Sequence, residues 1–166
     1  AGTVTVNYDL SKTKPGTQVN VRALDGETVV SQGSELFEGH SGSVLLSFDD
    51  LHLWCPRDPF LYSLVIEIAD GTGDILDRVE SYFGAREVSC EPDDSGHMRL
   101  HLNGSPTFHL GLLDQGWWPD GLLTAPTDEA LKFDIEATLE MGFNTIRKHV
   151  KVEPARWYWH ADRLGV

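Results

Sequence analysis

The sequence has 166 residues, 40% of them apolar and 23% charged, which supplies a packed core and leaves no long polar tract typical of disorder. The formal net charge of −13 argues against nucleic acid and anionic membranes as partners, because both recruit clustered lysine and arginine. No run of residues approaches the roughly 18 apolar residues of a membrane span. The length leaves room for one domain of about 100 residues and part of a second.

The first half of the sequence alternates apolar and polar residues in short runs that are separated by Gly, Pro and Asp turns. Such alternation predicts strands with one buried face, and no helical period interrupts it. Six or seven short strands of this kind are typical of an antiparallel β-sandwich of the immunoglobulin-like type. The predicted strands are 3–10, 18–24, 28–32, 43–48, 61–69 and 75–83.

A polar, turn-rich segment at 91–96 marks a change in organisation. Behind it, two strand-like runs at 97–102 and 107–113 flank Asn103 and Gly104, a pair that indicates a hairpin, with Ser105-Pro106 lengthening its loop. We therefore predict an immunoglobulin-like domain over 1–90 and a second domain over 91–166.

The second domain has a different period. Apolar residues at helical spacing, with Thr127 as N-cap and Gly142 as the C-terminal left-handed residue, predict a helix over 128–141. A strand over 144–150 and a second helix from Pro154 follow. Alternation of strand and helix predicts a parallel sheet, and two strands leave such a sheet incomplete. We expect the first two βα units of a (β/α)8 barrel in a fragment of a larger enzyme.

The loop that follows the first barrel strand is the first candidate site. In such barrels the reacting groups lie at the C-terminal ends of the strands. Asp114 ends the first strand, and the long loop behind it carries Trp117 and Trp118. The two indole rings suit the apolar face of a sugar, and the carboxylate suits its hydroxyls. The alternative is that both tryptophans only plug the mouth of the barrel.

On the second strand, Arg147 and His149 share a face near the C-terminal end. Both are costly to bury unless they bind carboxylates or ligand oxygens, so we predict that they bind substrate. The alternative is a structural salt bridge to another strand. Lys148 points to the other face and receives no role here, because its long stem can carry the charge to the rim.

The sequence predicts neither a metal site nor a cofactor. His97, His101 and His109 lack the spacing of zinc ligands, and no glycine-rich phosphate loop is present. Cys55 and Cys90 can form one disulfide or remain two free thiols, and we favour free, buried thiols.

Several ordered motifs resemble glycoside hydrolase family two, the group of β-galactosidases, β-glucuronidases and β-mannosidases. The matching pieces are Leu53-Trp54-Cys55-Pro56, Phe83-Gly84-Ala85-Arg86, Leu102-Asn103-Gly104-Ser105-Pro106, Met141-Gly142-Phe143-Asn144-Thr145-Ile146-Arg147, and Asp162 with Leu164 and Gly165. The sequence departs from the family pattern at Leu110, where arginine is common, and over 113–118.

The resemblance implies a sandwich packed on a catalytic barrel, with a carbohydrate substrate and retaining hydrolysis by two glutamates about 5 Å apart. It also implies that Arg147 lies beside the nucleophile and that His149 belongs to the sugar site. The family's acid/base follows an asparagine, and this sequence contains no Asn-Glu pair, so we expect no catalytic residue here and no activity from the chain alone. We further expect its open sheet edge to favour self-association. The alternative is a stand-alone carbohydrate-binding or structural module.

Overall fold

The computed structural model describes residues 2–12, 14, 16–37 and 39–166. Within these ranges the chain is mainly β. It divides into two compact units, the first formed by Ala1–His52 with Leu61–Ala85 and the second by Leu53–Phe60 with Arg86–Val166. In chain order the elements are β1 Gly2–Asp9, β2 Gln18–Asp25, β3 Thr28–Leu36, β4 Ser41–Phe48, β5 Tyr62–Ala69, β6 Ile75–Phe83, β7 Val88–Pro92, β8 Met98–Leu102, β9 Ser105–Pro106, β10 Gly111–Asp114, α1 Asp128–Glu140, β11 Thr145–Lys148 and α2 Ala155–Leu164.

The first unit consists of two antiparallel sheets, as the alternation predicts. β1 pairs with β4, and the other sheet has the order β3-β2-β5-β6. Along β2 every second side chain is buried, because successive side chains of a strand point to opposite faces. The apolar side chains that are buried in both sheets are consistent with a β-sandwich: Val6, Val19, Val21, Ala23, Val44, Leu46, Phe48, Tyr62 and Leu64.

The hairpin of the second unit is tighter than predicted. Asn103 and Gly104 both have positive φ, and Leu102 pairs directly with Ser105, so Ser105-Pro106 belongs to a strand and does not lengthen the loop.

The predicted strand at 107–113 is wrong over its first half, since only Gly111–Asp114 is extended and it pairs in parallel with β11. The reason is Asn144, whose side-chain amide accepts from the Leu110 backbone N–H and donates to the Phe108 carbonyl, each at 2.9 Å. These bonds attach the segment to the chain that enters β11.

Both predicted helices form, with the capping residues that the sequence indicates. Thr127 accepts a hydrogen bond from the Ala130 N–H at the start of α1, and Gly142 is left-handed just beyond its end. Pro154 is the N-cap of α2 and not its first helical residue, so α2 begins at Ala155, one residue later than predicted. The two helices pack through a buried cluster of Leu131, Ile135, Trp157 and Ala161. Neither helix has the length and apolar character needed to cross a bilayer.

The segment Leu53–Phe60 belongs to the second unit although it lies between strands of the first. The Trp54 indole N–H donates to the Asp162 carbonyl at 2.6 Å, and the Asn103 amide donates to the Trp54 carbonyl at 3.0 Å. The Arg86 guanidinium lies over the Trp54 ring. Alternation along the sequence does not predict this placement. In the same unit Cys55 and Cys90 are free, and Cys90 is exposed, contrary to the expected burial.

Candidate functional site

The parallel pair β10 and β11 has one covered and one open face. Ile146 packs against the helix cluster, and the Lys148 ammonium lies 4.9 Å from the centre of the Trp157 ring. Because side chains alternate along a strand, Arg147 points to the other face, where its register partner Leu113 is 57% exposed. Arg147 is exposed, and no described residue forms a hydrogen bond or ion pair with its side chain. The guanidinium is therefore available to a ligand or to further protein.

The C-terminal ends of the two strands are joined by hydrogen bonds. The His149 backbone N–H donates to the Asp114 carbonyl at 2.9 Å, and the Gln115 amide lies 2.9 Å from Nδ1 of His149. With the Gln115 amide nitrogen facing the ring, Nδ1 accepts, which corresponds to the neutral tautomer that carries its proton on Nε2. The structure thus joins the backbones of Asp114 and His149 directly, and the side chain of Gln115, which no sequence pattern indicated, contacts the His149 ring.

Four charged side chains form a compact group at the same strand ends, and we call Asp114, Lys148, Lys151 and Glu153 the strand-end ion cluster. The Lys148 ammonium lies 2.6 Å from Oδ2 of Asp114 and 2.7 Å from Oε1 of Glu153. Lys151 approaches the same Oε1 at 3.1 Å. The Glu153 side chain is only 2% exposed. Two positive and two negative groups balance, as burial of charge requires.

The structure assigns Lys148 a different position from the one expected. Its side chain is 12% exposed and bridges two carboxylates instead of extending into solvent. The sequence does contain a signal for this position of Lys148. Lys148 lies two residues after Ile146 on the same strand, so both side chains point to the face that the helices cover. Glu153 carries no such signal, because it lies in the loop between β11 and α2.

The two tryptophans of the loop after β10 have different surroundings. Trp117 is 62% exposed, whereas Trp118 is partly buried and packs against the helix cluster. Trp118 also pairs with Leu122 through two backbone hydrogen bonds, at 2.7 and 3.1 Å. Of the two indole rings, only that of Trp117 has most of its surface free to contact a ligand.

The electrostatic field of the strand-end ion cluster reaches helix α1. Asp134 is exposed, but partial desolvation by its neighbours raises the pKa of its carboxyl above the usual 3.8; the negative charge of Asp114 adds to this shift, and the positive charge of Lys148 opposes it. Asp134 therefore binds its proton more tightly in the folded chain than in an unfolded one.

Comparison with known proteins shows that the chain is similar to members of one enzyme family. The family model for glycosyl hydrolases family 2 matches residues 1–86. The β-galactosidase large subunit of Leuconostoc lactis is 29% identical over 146 residues, which cover 87% of this chain and 21% of that protein. A putative β-glucuronidase of Formosa agariphila is 26% identical over 99% of this chain and 16% of that protein.

The solved structures agree with the sequence relatives. The β-glucuronidase of Bifidobacterium dentium superimposes with a TM-score of 0.81 at 25% identity, over all of this chain and 26% of that chain. A putative β-galactosidase of Bacteroides fragilis shares the fold with a TM-score of 0.79 over 98% of this chain and 24% of that one. The chain spans about a fifth of the length of the curated relatives it matches.

Proposed function

The chain belongs to family 2 of the glycosyl hydrolases, whose model matches more than half of its residues, and from this premise we propose that it is part of a retaining β-glycosidase. The substrate class is a carbohydrate with a β-glycosidic bond. The β-galactosidases and β-glucuronidases among its relatives support this reaction. The longer protein, and not these 166 residues alone, would carry the activity.

In this proposal, the parallel strands β10 and β11 with helices α1 and α2 are the first two βα units of a (β/α)8 barrel that follows the sandwich. The supporting observation is that α1 and α2 cover only one face of β10 and β11, while Arg147 and Leu113 stand on the other. A barrel buries that second face in its interior and keeps its active site at the C-terminal ends of the strands. The domain boundary proposed near residue 90 separates the two parts.

Each candidate residue receives a role that fits its surroundings. Arg147 offers a planar fork of donors, which can hold a carboxylate nucleophile ionised and oriented. His149 presents Nε2–H to a sugar oxygen. Asp114 already accepts from the Gly116 N–H and from Lys148, and an ionised carboxylate keeps capacity for a sugar hydroxyl. Trp117 supplies the stacking surface, and Trp118 supports it from the helix cluster.

Retaining hydrolysis needs an acid/base and a nucleophile about 5 Å apart. The sequence contains no Asn-Glu pair, so we assign no catalytic residue within this chain. The purified chain should therefore release no chromophore from nitrophenyl β-glycosides above background. Turnover that a mutation within the chain abolishes would contradict this assignment.

The proposal is tested by Arg147→Lys in the longer protein that contains this chain. We expect kcat to fall about a hundredfold, equivalent to about 3 kcal/mol of transition-state stabilisation. Stability should change little, because lysine keeps the positive charge beside the proposed carboxylate and no described residue of this chain forms an ion pair with Arg147. Arg99→Lys, which alters an exposed pair with Asp93, is the matched control. A lower urea midpoint with normal kcat would refute the catalytic role.

A further inference from the structure

Lys151 occupies an unusual position for a loop lysine, since its side chain is only 10% exposed. Its ammonium donates to the Gly116 carbonyl at 2.9 Å and to the Leu123 carbonyl at 2.7 Å, and it pairs with Glu153 at 3.1 Å. An ammonium has three N–H donors, so these three oxygens use all of them. Lys151 is therefore occupied by internal partners and has no donor left for a ligand.

The two carbonyls that Lys151 binds are the two ends of one loop, 116–123, which we call the tryptophan loop because it carries Trp117 and Trp118. Within it, Trp118 and Leu122 exchange backbone hydrogen bonds, and Thr124, the residue that follows the loop, donates its N–H to the Gly121 carbonyl at 2.9 Å. These bonds shape the loop but do not attach it to the strand ends. The Gly116 N–H attaches the first residue of the loop to Oδ1 of Asp114, and the Lys151 ammonium connects that first residue to Leu123 at the far end.

Glu153 fixes Lys151 in turn. Its side chain is 2% exposed, and one oxygen, Oε1, receives both Lys148 and Lys151. Lys148 continues the chain of charges to Asp114 at the end of β10. The tryptophan loop is thus connected to both parallel strands by charge-assisted contacts, which are stronger than neutral hydrogen bonds.

We infer that Lys151 is a positioning residue: it holds the tryptophan loop closed and so presents Trp117 as a rigid stacking surface for the sugar. The sugar contact rests on the proposed function, but the holding of the loop does not. Ordering the loop before binding removes an entropic cost that the ligand would otherwise bear. If Lys151 served only the stability of the fold, its ion pair with Glu153 would be enough. The two additional bonds from the same ammonium, to the carbonyls at both ends of the loop, indicate that it also holds the loop in place.

The test is amide hydrogen exchange of the 166-residue chain with Lys151→Met, which keeps the stem and removes the donors. We expect the amides of Trp118, Leu122 and Thr124 to exchange about tenfold faster or more, because local opening no longer breaks the charged contacts. The indole N–H of Trp117, assigned with Trp117→Phe, should show increased mobility in ¹⁵N relaxation. Amides of α1 and α2 should change far less.

The matched control is Lys132→Met, which removes an exposed i,i+4 pair with Glu136 and should leave the loop unchanged. If the single variant does not fold, Lys151→Met combined with Glu153→Gln removes one positive and one negative charge, keeps the Lys148–Asp114 pair and should still accelerate loop exchange.

Unchanged exchange in the loop, or equal acceleration in the loop and both helices, would overturn the inference. Both readouts are independent of glycosidase activity. An inactive longer protein would refute the proposed function without touching this result.

Discussion

Gly116 is the position where a single methyl group should disrupt the strand-end ion cluster. Its φ is +62°, and a Cβ built there would collide with Oε1 of Glu153 and lie 2.5 Å from the Lys151 ammonium. Gly116→Ala therefore imposes left-handed strain of about 1–2 kcal/mol on an L-residue. It also pushes the Lys151 and Glu153 side chains apart. Because Glu153 keeps Lys148 as a partner, this separation should cost less than the removal of one member of a buried pair, about 2 kcal/mol, and we expect a total loss of about 3 kcal/mol.

Gly142→Ala separates these two contributions. Gly142 has a φ of +84°, but no atom lies within 4 Å of its added Cβ, so this variant carries the strain without the collision. All five tryptophans lie in the second unit, so their fluorescence in urea reports the unfolding of that unit. With typical urea slopes of about 1–3 kcal/mol per molar, the separation cost of about 2 kcal/mol should place the midpoint of Gly116→Ala roughly 0.7–2 M below that of Gly142→Ala. Equal midpoints would show that the cluster yields to the methyl group at no cost and would refute the reasoning.

Three further outcomes are expected. Because folding raises the pKa of Asp134, stability falls as pH rises from 3.8 through the folded value; Asp134→Asn should thus raise the thermal midpoint at pH 7, with no gain below about pH 3.8. Thr127→Ala removes the α1 cap and should cost about 1 kcal/mol in urea, whereas Thr107→Ala should cost less. The chain should self-associate through the open edge and face of β10 and β11, visible as a concentration-dependent mass in sedimentation; a strictly monomeric chain with strong amide protection over 107–166 would contradict this.

The strands of the sandwich and both helices were predictable because their signals are local. Alternation with period two fixes which side chains of β2 are buried, and the same rule identifies the other strands of the first unit. A capping threonine and a left-handed glycine mark the ends of α1 by satisfying backbone groups that the helix leaves free. The placement of Arg147 on the face that the helices leave open also follows from alternation alone.

The strand-end ion cluster required the tertiary structure, because its members come from β10, β11 and the loop before α2. Alternation shows that Lys148 faces the helices, but only the fold brings it between Asp114 and Glu153. The same holds for Leu53–Phe60, which joins the second unit through long-range bonds of Trp54. Local patterns state which face a side chain occupies, whereas the identity of its partner depends on how distant segments are brought together, and that is decided by packing and charge compensation in the folded chain.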